Sequence, residues 1–363
     1  MSRQTNCAYV EKVGGPIIVG KLEAPDPGPQ QVLVRIRASG VCHTDESVRT
    51  GAFPLPVPCI LGHEGAGVVE AIGREVTSVK PGDKVVVVGI QPCGQCPTCY
   101  NNQPELCEKQ FDKIAAAPLY QGSGKNMPGM GGLGTFSELM TTNEIGVVKV
   151  NTDLPFDQLA LIGCGVLTGV GAAFRSAKIK PGDTVAVVGC GGVGLSIIQA
   201  ARIAGASKII AVDPVAMKRK AALELGATHE VDTGNGDAVE RVLALARGVG
   251  VDVALEAVGR GSTLTQAFRM TRRGGTVVAV GVGGDDPFSI STNEFVLGGK
   301  TMVGSVSGAG HPHREVPHCV AMAERGLFKL DHLVTRHFAL QDIHQAFELM
   351  HRGEALRSVI NFD

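Results

Sequence analysis

The stretch TVAVVGCGGVGLSIIQAA (184–201) constrains this chain most: a β-branched run, then Gly-x-Gly-x-x-Gly at 189–194, then an apolar run of helical length. Glycines at those positions permit a tight turn and a close approach of backbone to phosphate, whose charge a helix N-terminus stabilises. The next apolar run, KIIAVD, ends on Asp213, 24 residues after Gly189. A carboxylate there accepts both ribose hydroxyls of an adenosine and repels a 2′-phosphate. Strand, turn, helix, strand and acid predict a dinucleotide site at Gly189, Gly191, Gly192, Gly194 and Asp213, with NAD(H) favoured over NADP(H). The same stretch approaches the roughly 18 apolar residues of a membrane span. The strand–turn–helix reading fits it better, so the chain is read as soluble.

The pattern divides the chain. Through about residue 165, short Val/Ile runs such as QVLVRIRASG, AGVVEAIG and DKVVVVG alternate with Pro/Gly punctuation, which predicts strands and turns with few helices. From about residue 180, strand-like runs at 184–190, 208–213, 251–259 and 275–282 are mostly separated by helix-length segments, which predicts a parallel α/β layer. Residues 111–134, with GSGKNMPGMGGLG, read as a long glycine-rich loop.

With 363 residues, 44% hydrophobic, the chain is long enough for two domains. A formal net charge of −1 and no long basic block give no electrostatic reason to expect nucleic acid or an anionic membrane as partner. Small molecules are the expected partners. The start MSRQTNCAYVEKVGG has no apolar leader core, so a cytoplasmic location is expected, where thiols stay reduced.

That compartment bears on CGQCPTCYNNQPELC (93–107), in which Cys93, Cys96, Cys99 and Cys107 crowd into fifteen residues. Four thiolates suit Zn(II) or an iron–sulfur centre, and disulfides suit the cytosol poorly. With zinc, four thiolates leave a net charge of −2 and no open position, so this ion polarises no substrate. The lobe is expected to be structural. Cys42, His63 and Cys164 each follow or interrupt a glycine-punctuated strand, but their spacings of 21 and 101 residues do not by themselves mark a metal set.

GVCHTDE (40–46), GHEGAGVVEAIG (62–73), the four-cysteine lobe, GCGVLTG (163–169), GCGGVG with Asp213, and LRSVI (356–360) together resemble the zinc-containing alcohol dehydrogenases of the medium-chain dehydrogenase/reductase superfamily. Order and spacing match over essentially the whole chain. The resemblance implies an α/β fold: a GroES-like, mostly β catalytic domain of residues 1–165 and 307–363, and a Rossmann doubly wound parallel-sheet domain of residues 166–306 that binds NAD. It also implies two zinc ions per chain, the catalytic one held by Cys42, His63 and Cys164. Two thiolates and an imidazole leave that ion formally neutral and a better Lewis acid than the lobe's.

By the same resemblance Asp45 hydrogen-bonds His63, Glu64 lies behind the metal, and Thr44 takes the alcohol proton while hydride passes to the nicotinamide. His43 is expected at the pyrophosphate, Lys218 at the adenosine ribose and Arg357 at a phosphate, with Thr168, Val193 and Val280 against the nicotinamide. Many relatives continue the proton relay to a His where this chain has Ser47, so the proton leaves by another route, through water or His43. A pocket position that is often bulky is Gly89. With Phe53, Met130 and Val306 as the remaining walls, a roomy apolar pocket for medium-chain or aromatic alcohols is expected. Glutathione-dependent formaldehyde dehydrogenases share CHTD but place an acid near 53 and an Arg near 111, where this chain has Phe53 and Phe111. Apolar stretches near 290–306 look like the strand pairing that joins subunits in this family, and the 111–134 loop resembles the longer insert of its dimeric members, which implies a homodimer, or else a homotetramer. The alternatives are the same scaffold reducing C=N or C=C bonds with zinc mainly structural, and a non-enzymatic zinc and nucleotide binder.

Overall fold

The computed structural model describes residues 3–122, 124–234, 236–283 and 286–362. The chain forms two compact units, one comprising the residues up to Cys164 with His311–Arg325 and the chain from Leu330 onward, the other Gly165–Gly310 with Gly326–Lys329.

The first unit is built on two sheets. One runs Val147–Lys149, Lys84–Val87, Glu64–Ile72, Gln31–Gly40, Arg357–Asn361, Val334–Phe338, with Leu139–Asn143 also paired to Gln31–Gly40. Its pairs are antiparallel except the last, Val334–Phe338 on Arg357–Asn361. The other orders Cys59–Ile60, Arg3–Val10, Ile18–Ala24, Leu119–Gly122 and Lys125–Pro128. Side chains alternate across a strand, and here both faces are buried. Val32, Val34 and Ile36 enter one core with Val85, Val87 and Phe136, whereas Leu33 enters another with Cys7, Tyr9 and Leu22. Burying each Val, Leu or Ile contributes about 1.5–3 kcal/mol.

The second unit is a six-stranded sheet, all parallel, in the order His229–Val231, Lys208–Val212, Thr184–Val188, Val251–Glu256, Thr271–Ala279, Thr301–Gly304. In chain order this is third, second, first, fourth, fifth, sixth, the doubly wound dinucleotide-binding arrangement. Four of these strands sit at the Val/Ile runs read from the sequence; the two edge strands, His229–Val231 and Thr301–Gly304, are short and were not among those runs.

Two segments depart from the sequence reading. Cys164 does not follow a strand: Phe156–Leu161, Ile162–Val166, Leu167–Gly171 and Ala172–Ser176 form one helical run whose second and fourth pieces are π turns. Four glycines and β-branched residues obscured it, but its apolar length exceeds any strand, and burial overrides propensity. This run, not 185–201, is long and apolar enough to cross a membrane, and 78% of its apolar window is buried inside the fold. Within 111–134, the expected loop, Gln110–Ala115 is helical and Leu119–Gly122 pairs with Lys125–Pro128 as a hairpin.

Candidate active site

Cys42 is the N-cap of helix His43–Thr50, directly after strand Gln31–Gly40. One buried carboxylate, that of Asp45, organises the ligands around it. Asp45 Oδ2 accepts the Cys42 N–H at 3.0 Å, and Oδ1 accepts the Gly62 N–H at 3.2 Å and lies 2.9 Å from His63 Nδ1. Gly62 has φ 94°, and a Cβ there would strike Phe136 and Thr135, so only glycine lets the chain turn His63 inward. Because Nδ1 faces Asp45, His63 Nε2 is the nitrogen left over, buried and without a hydrogen-bond partner. Cys164 enters from the π turn, a feature that often marks functional sites.

Cys42, His63, Glu64 and Cys164 each place a ligand atom within 4.8 Å of all the others. Cys42 is held well below the usual thiol range, first by its hydrogen bond with Cys164, then by His63 and Arg357. Cys164 is pushed well above it by the same bond and by burial. Burial opposes charge on His63, but Asp45 and Cys42 outweigh it and raise its pKa. The proton they favour on the imidazole is the one a metal ion displaces. Burial pushes Glu64 up to about 7 against the pull of Arg357. Arg357 pairs with Glu64 and donates to the Val41 carbonyl at 3.0 Å. Two sulfurs and an orphaned, oriented imidazole nitrogen fit a zinc site, and the fourth donor gathered with them is the Glu64 carboxylate, paired to Arg357, rather than a thiol.

In the lobe the Cys93, Cys96, Cys99 and Cys107 sulfurs also lie within 4.8 Å of one another, and all ten cysteines are free thiols. The Cys96 sulfur is 3.5 Å from Cys99 and 3.9 Å from Cys107. Tetrahedral zinc with bonds of about 2.3 Å needs sulfurs about 3.8 Å apart, whereas a disulfide needs about 2.05 Å. Backbone N–H groups aim at the sulfurs, Cys93 to Cys107 at 3.2 Å and Gln95 to Cys93 at 3.4 Å. The Thr98 hydroxyl, first among several hydrogen bonds, brings Cys96 down to about 5, whereas burial pushes Cys99 up to about 11. The donors fit a closed four-thiolate zinc site.

In the second unit, Gly189 adopts φ 92°, Gly191 would point a Cβ into open space, and a Cβ on Gly194 would collide with the Gly189 carbonyl. Those are the three glycine roles of a dinucleotide turn: the tight bend, the approach of phosphate and close helix packing. Asp213 is buried and receives the N–H groups of Cys190 and Val215, both at 2.8 Å. Gly192 and Val193 open the helix Gly192–Ile203, and Gly169 packs on Val193 and Ser196, which brings Thr168 beside that turn. Val280 follows strand Thr271–Ala279, its N–H bonded to the Glu256 carbonyl at 2.8 Å. Lys218 lies half-buried on the helix Ala216–Leu225. Its neighbour Arg219 escaped the sequence reading. Buried, it donates to the Asp213 carbonyl at 2.9 Å and to Asp232 at 3.1 Å. An Arg among Lys residues on an amphipathic helix carries no signal of burial.

The remaining expected residues fall in several places. Thr44 Oγ1 is 3.7 Å from the Cys42 sulfur. Ser47 is half-buried one turn on, its carbonyl accepting the Phe53 N–H at 3.0 Å, and His43 is exposed. Phe53 packs on the core that contains Met130. Gly89 would meet nothing within 4 Å of a Cβ. Val306 is exposed in the second unit and is not among the residues gathered at Cys42, His63 and Cys164.

Residues 28–152 match the Alcohol dehydrogenase GroES-like domain, and residues 192–325 match the Zinc-binding dehydrogenase family. The chain is 35% identical to alcohol dehydrogenase B of Mycobacterium tuberculosis, over 99% of this chain and 98% of that protein. It is 36% identical to a geraniol dehydrogenase of Castellaniella defragrans, over 98% and 97%. The crystal structure of benzyl alcohol dehydrogenase from Acinetobacter calcoaceticus superposes with a TM-score of 0.90 at 33% identity, over 99% of this chain and 100% of that one. Carrying both cysteine sets, the parallel dinucleotide sheet and matches of this extent, the chain belongs to the zinc-containing alcohol dehydrogenases of the medium-chain dehydrogenase/reductase superfamily.

Proposed function

We propose that this chain oxidises medium-chain or aromatic alcohols to aldehydes or ketones with NAD, reversibly, using Cys42, His63 and Cys164 as ligands of a catalytic zinc and the four-cysteine lobe for a second, structural zinc. The observation that carries this reading is the convergence of two thiols on a buried His63 Nε2 that has no other partner. When bound, the catalytic zinc supplies Lewis acidity that stabilises an alkoxide. NAD supplies the hydride acceptor.

The chain's own residues do the rest. Asp45 fixes the His63 ring, and Arg357 holds Glu64 behind it. Thr44 Oγ1, beside Cys42, takes the alcohol proton and hands it on past Ser47 to water or His43. Asp213, held by two backbone amides, takes the adenosine ribose hydroxyls with Lys218, and the turn from Gly189 to Gly194 takes the pyrophosphate. Thr168, Val193 and Val280 are assigned to the nicotinamide, and the donors of Arg357 not used on Glu64 to a phosphate. Phe53, Gly89, Met130 and Val306 are assigned to the pocket, where the missing side chain at Gly89 favours larger alcohols. Thiols at the lobe suit the reducing cytoplasm, to which the enzyme is assigned. The edge strand Thr301–Gly304, next to exposed Val296 and Leu297, is assigned to a homodimer contact.

Following NADH absorbance over an alcohol series, with NAD and NADP in parallel, tests the reading. Turnover of benzyl alcohol or hexanol above ethanol, with NAD favoured, is expected. A clear preference for ethanol, or no turnover of any alcohol, would contradict it.

A further inference from the structure

Gln110 begins the helix Gln110–Ala115, three residues after the last lobe cysteine, Cys107, whose carbonyl accepts its N–H at 3.2 Å. Its half-buried side chain turns back toward the strand that leads into the lobe. Oε1 accepts the N–H of Gln91 at 2.9 Å, and Nε2 donates to the carbonyl of Gly89 at 2.8 Å. One carboxamide therefore clamps the Gly89 carbonyl and the Gln91 N–H together at the bend that follows the paired strand Lys84–Val87.

The two bracketed residues differ in their surroundings. Gln91 is buried, receives Asn143 Nδ2 on its Oε1 at 3.4 Å, and lies close enough to Gly132 and Gly146 that Cβ atoms there would stand 3.8 and 3.2 Å from its Nε2. Gly89 faces open space. Two residues before it, the Val87 carbonyl packs on Gly163 so tightly that no Cβ fits, and Gly163 precedes Cys164. The segment 87–91 thus runs from the Cys164 turn to the four-cysteine lobe, and Gln110 is the lobe's grip on its open part.

We propose that Gln110 is a positioning residue that sets the wall of the alcohol pocket: it fixes the Gly89 backbone, so that the lobe tunes substrate size without touching substrate. This rests on the reading of the chain as an alcohol dehydrogenase with Gly89 as a pocket wall. Gln110→Ala removes both hydrogen bonds, and Gln110→Glu keeps the length and the acceptor but loses the donor to Gly89.

The test measures zinc content, amide hydrogen exchange at Gln91, and KM and kcat for benzyl alcohol, hexanol and ethanol in both variants. Gln110→Ala should keep both zinc ions, speed exchange at Gln91, and raise KM for benzyl alcohol about tenfold with kcat and the ethanol KM within about twofold. Gln110→Glu should fall between it and the unaltered enzyme, and is read alone should Gln110→Ala fail to fold. Gly89→Phe should depress benzyl alcohol turnover more in the unaltered enzyme than in the Gln110→Ala background, because the two share one backbone segment. Unchanged exchange and an unchanged benzyl-to-ethanol ratio would overturn the proposal. So would an equal loss on all alcohols accompanied by zinc loss, which would make Gln110 a lobe stabiliser only. Faster exchange at Gln91 in an enzyme that oxidises no alcohol would leave the bracket standing and bring down the reading on which its pocket role rests.

Discussion

The two cysteine sets are built by opposite means. The lobe's four sulfurs come from fifteen consecutive residues and are aimed by N–H groups within or beside the same stretch. The open set spans 123 residues, from Cys42 to Cys164, and is aimed from a distance: Asp45 reaches His63 and Gly62, and Arg357 reaches Glu64 across the fold. A local set closes around its ion, whereas a dispersed set, whose ligands arrive on separate elements, can leave a position free. Chemistry is assigned to the second because its geometry is set by tertiary structure and its fourth place is not filled by a thiol.

That contrast is open to breakage. Cys42→Ala should abolish alcohol oxidation while NADH binding, measured by fluorescence titration, stays within about threefold, since the dinucleotide turn is built by other residues. Cys96→Ala should act on stability instead, lowering it by about 4 kcal/mol and the melting temperature by about 8 °C or more in calorimetry. Turnover retained in Cys42→Ala, or a Cys96→Ala protein that melts like the unaltered one, would reverse the two assignments. Asp45→Asn sharpens the comparison with a smaller effect: it keeps the shape but loses the charge that orients His63. A fall of about 10–100-fold in activity or zinc affinity is expected, with lobe zinc retained in metal analysis.

Legibility in the sequence divides along the same line. Much that is local is legible in advance, namely four Val/Ile strands of the parallel sheet, the glycine turn with Asp213 and the lobe, whereas the short edge strands and the hairpin Leu119–Gly122 with Lys125–Pro128 are not, because they lack a long apolar run. The open ligands were found only through family resemblance, because Cys42, His63 and Cys164 have no spacing rule. The helical setting of Cys164 was hidden by the glycines around it, whose low helix propensity is outweighed by burial that only the folded chain displays. Arg219 and Gln110 were not legible at all. Each is a polar residue on a short or amphipathic helix, and its partners, Asp213 and Asp232 for one, Gly89 and Gln91 for the other, meet it only after folding.

One metal site is held to be open and the other closed, and metal analysis of purified enzyme, Cys42→Ala and Cys96→Ala tests that difference most directly. About two zinc ions per chain are expected in the first and about one in each variant, with the single ion of Cys42→Ala in a stable, inactive protein. Two ions and full turnover in Cys42→Ala would contradict it.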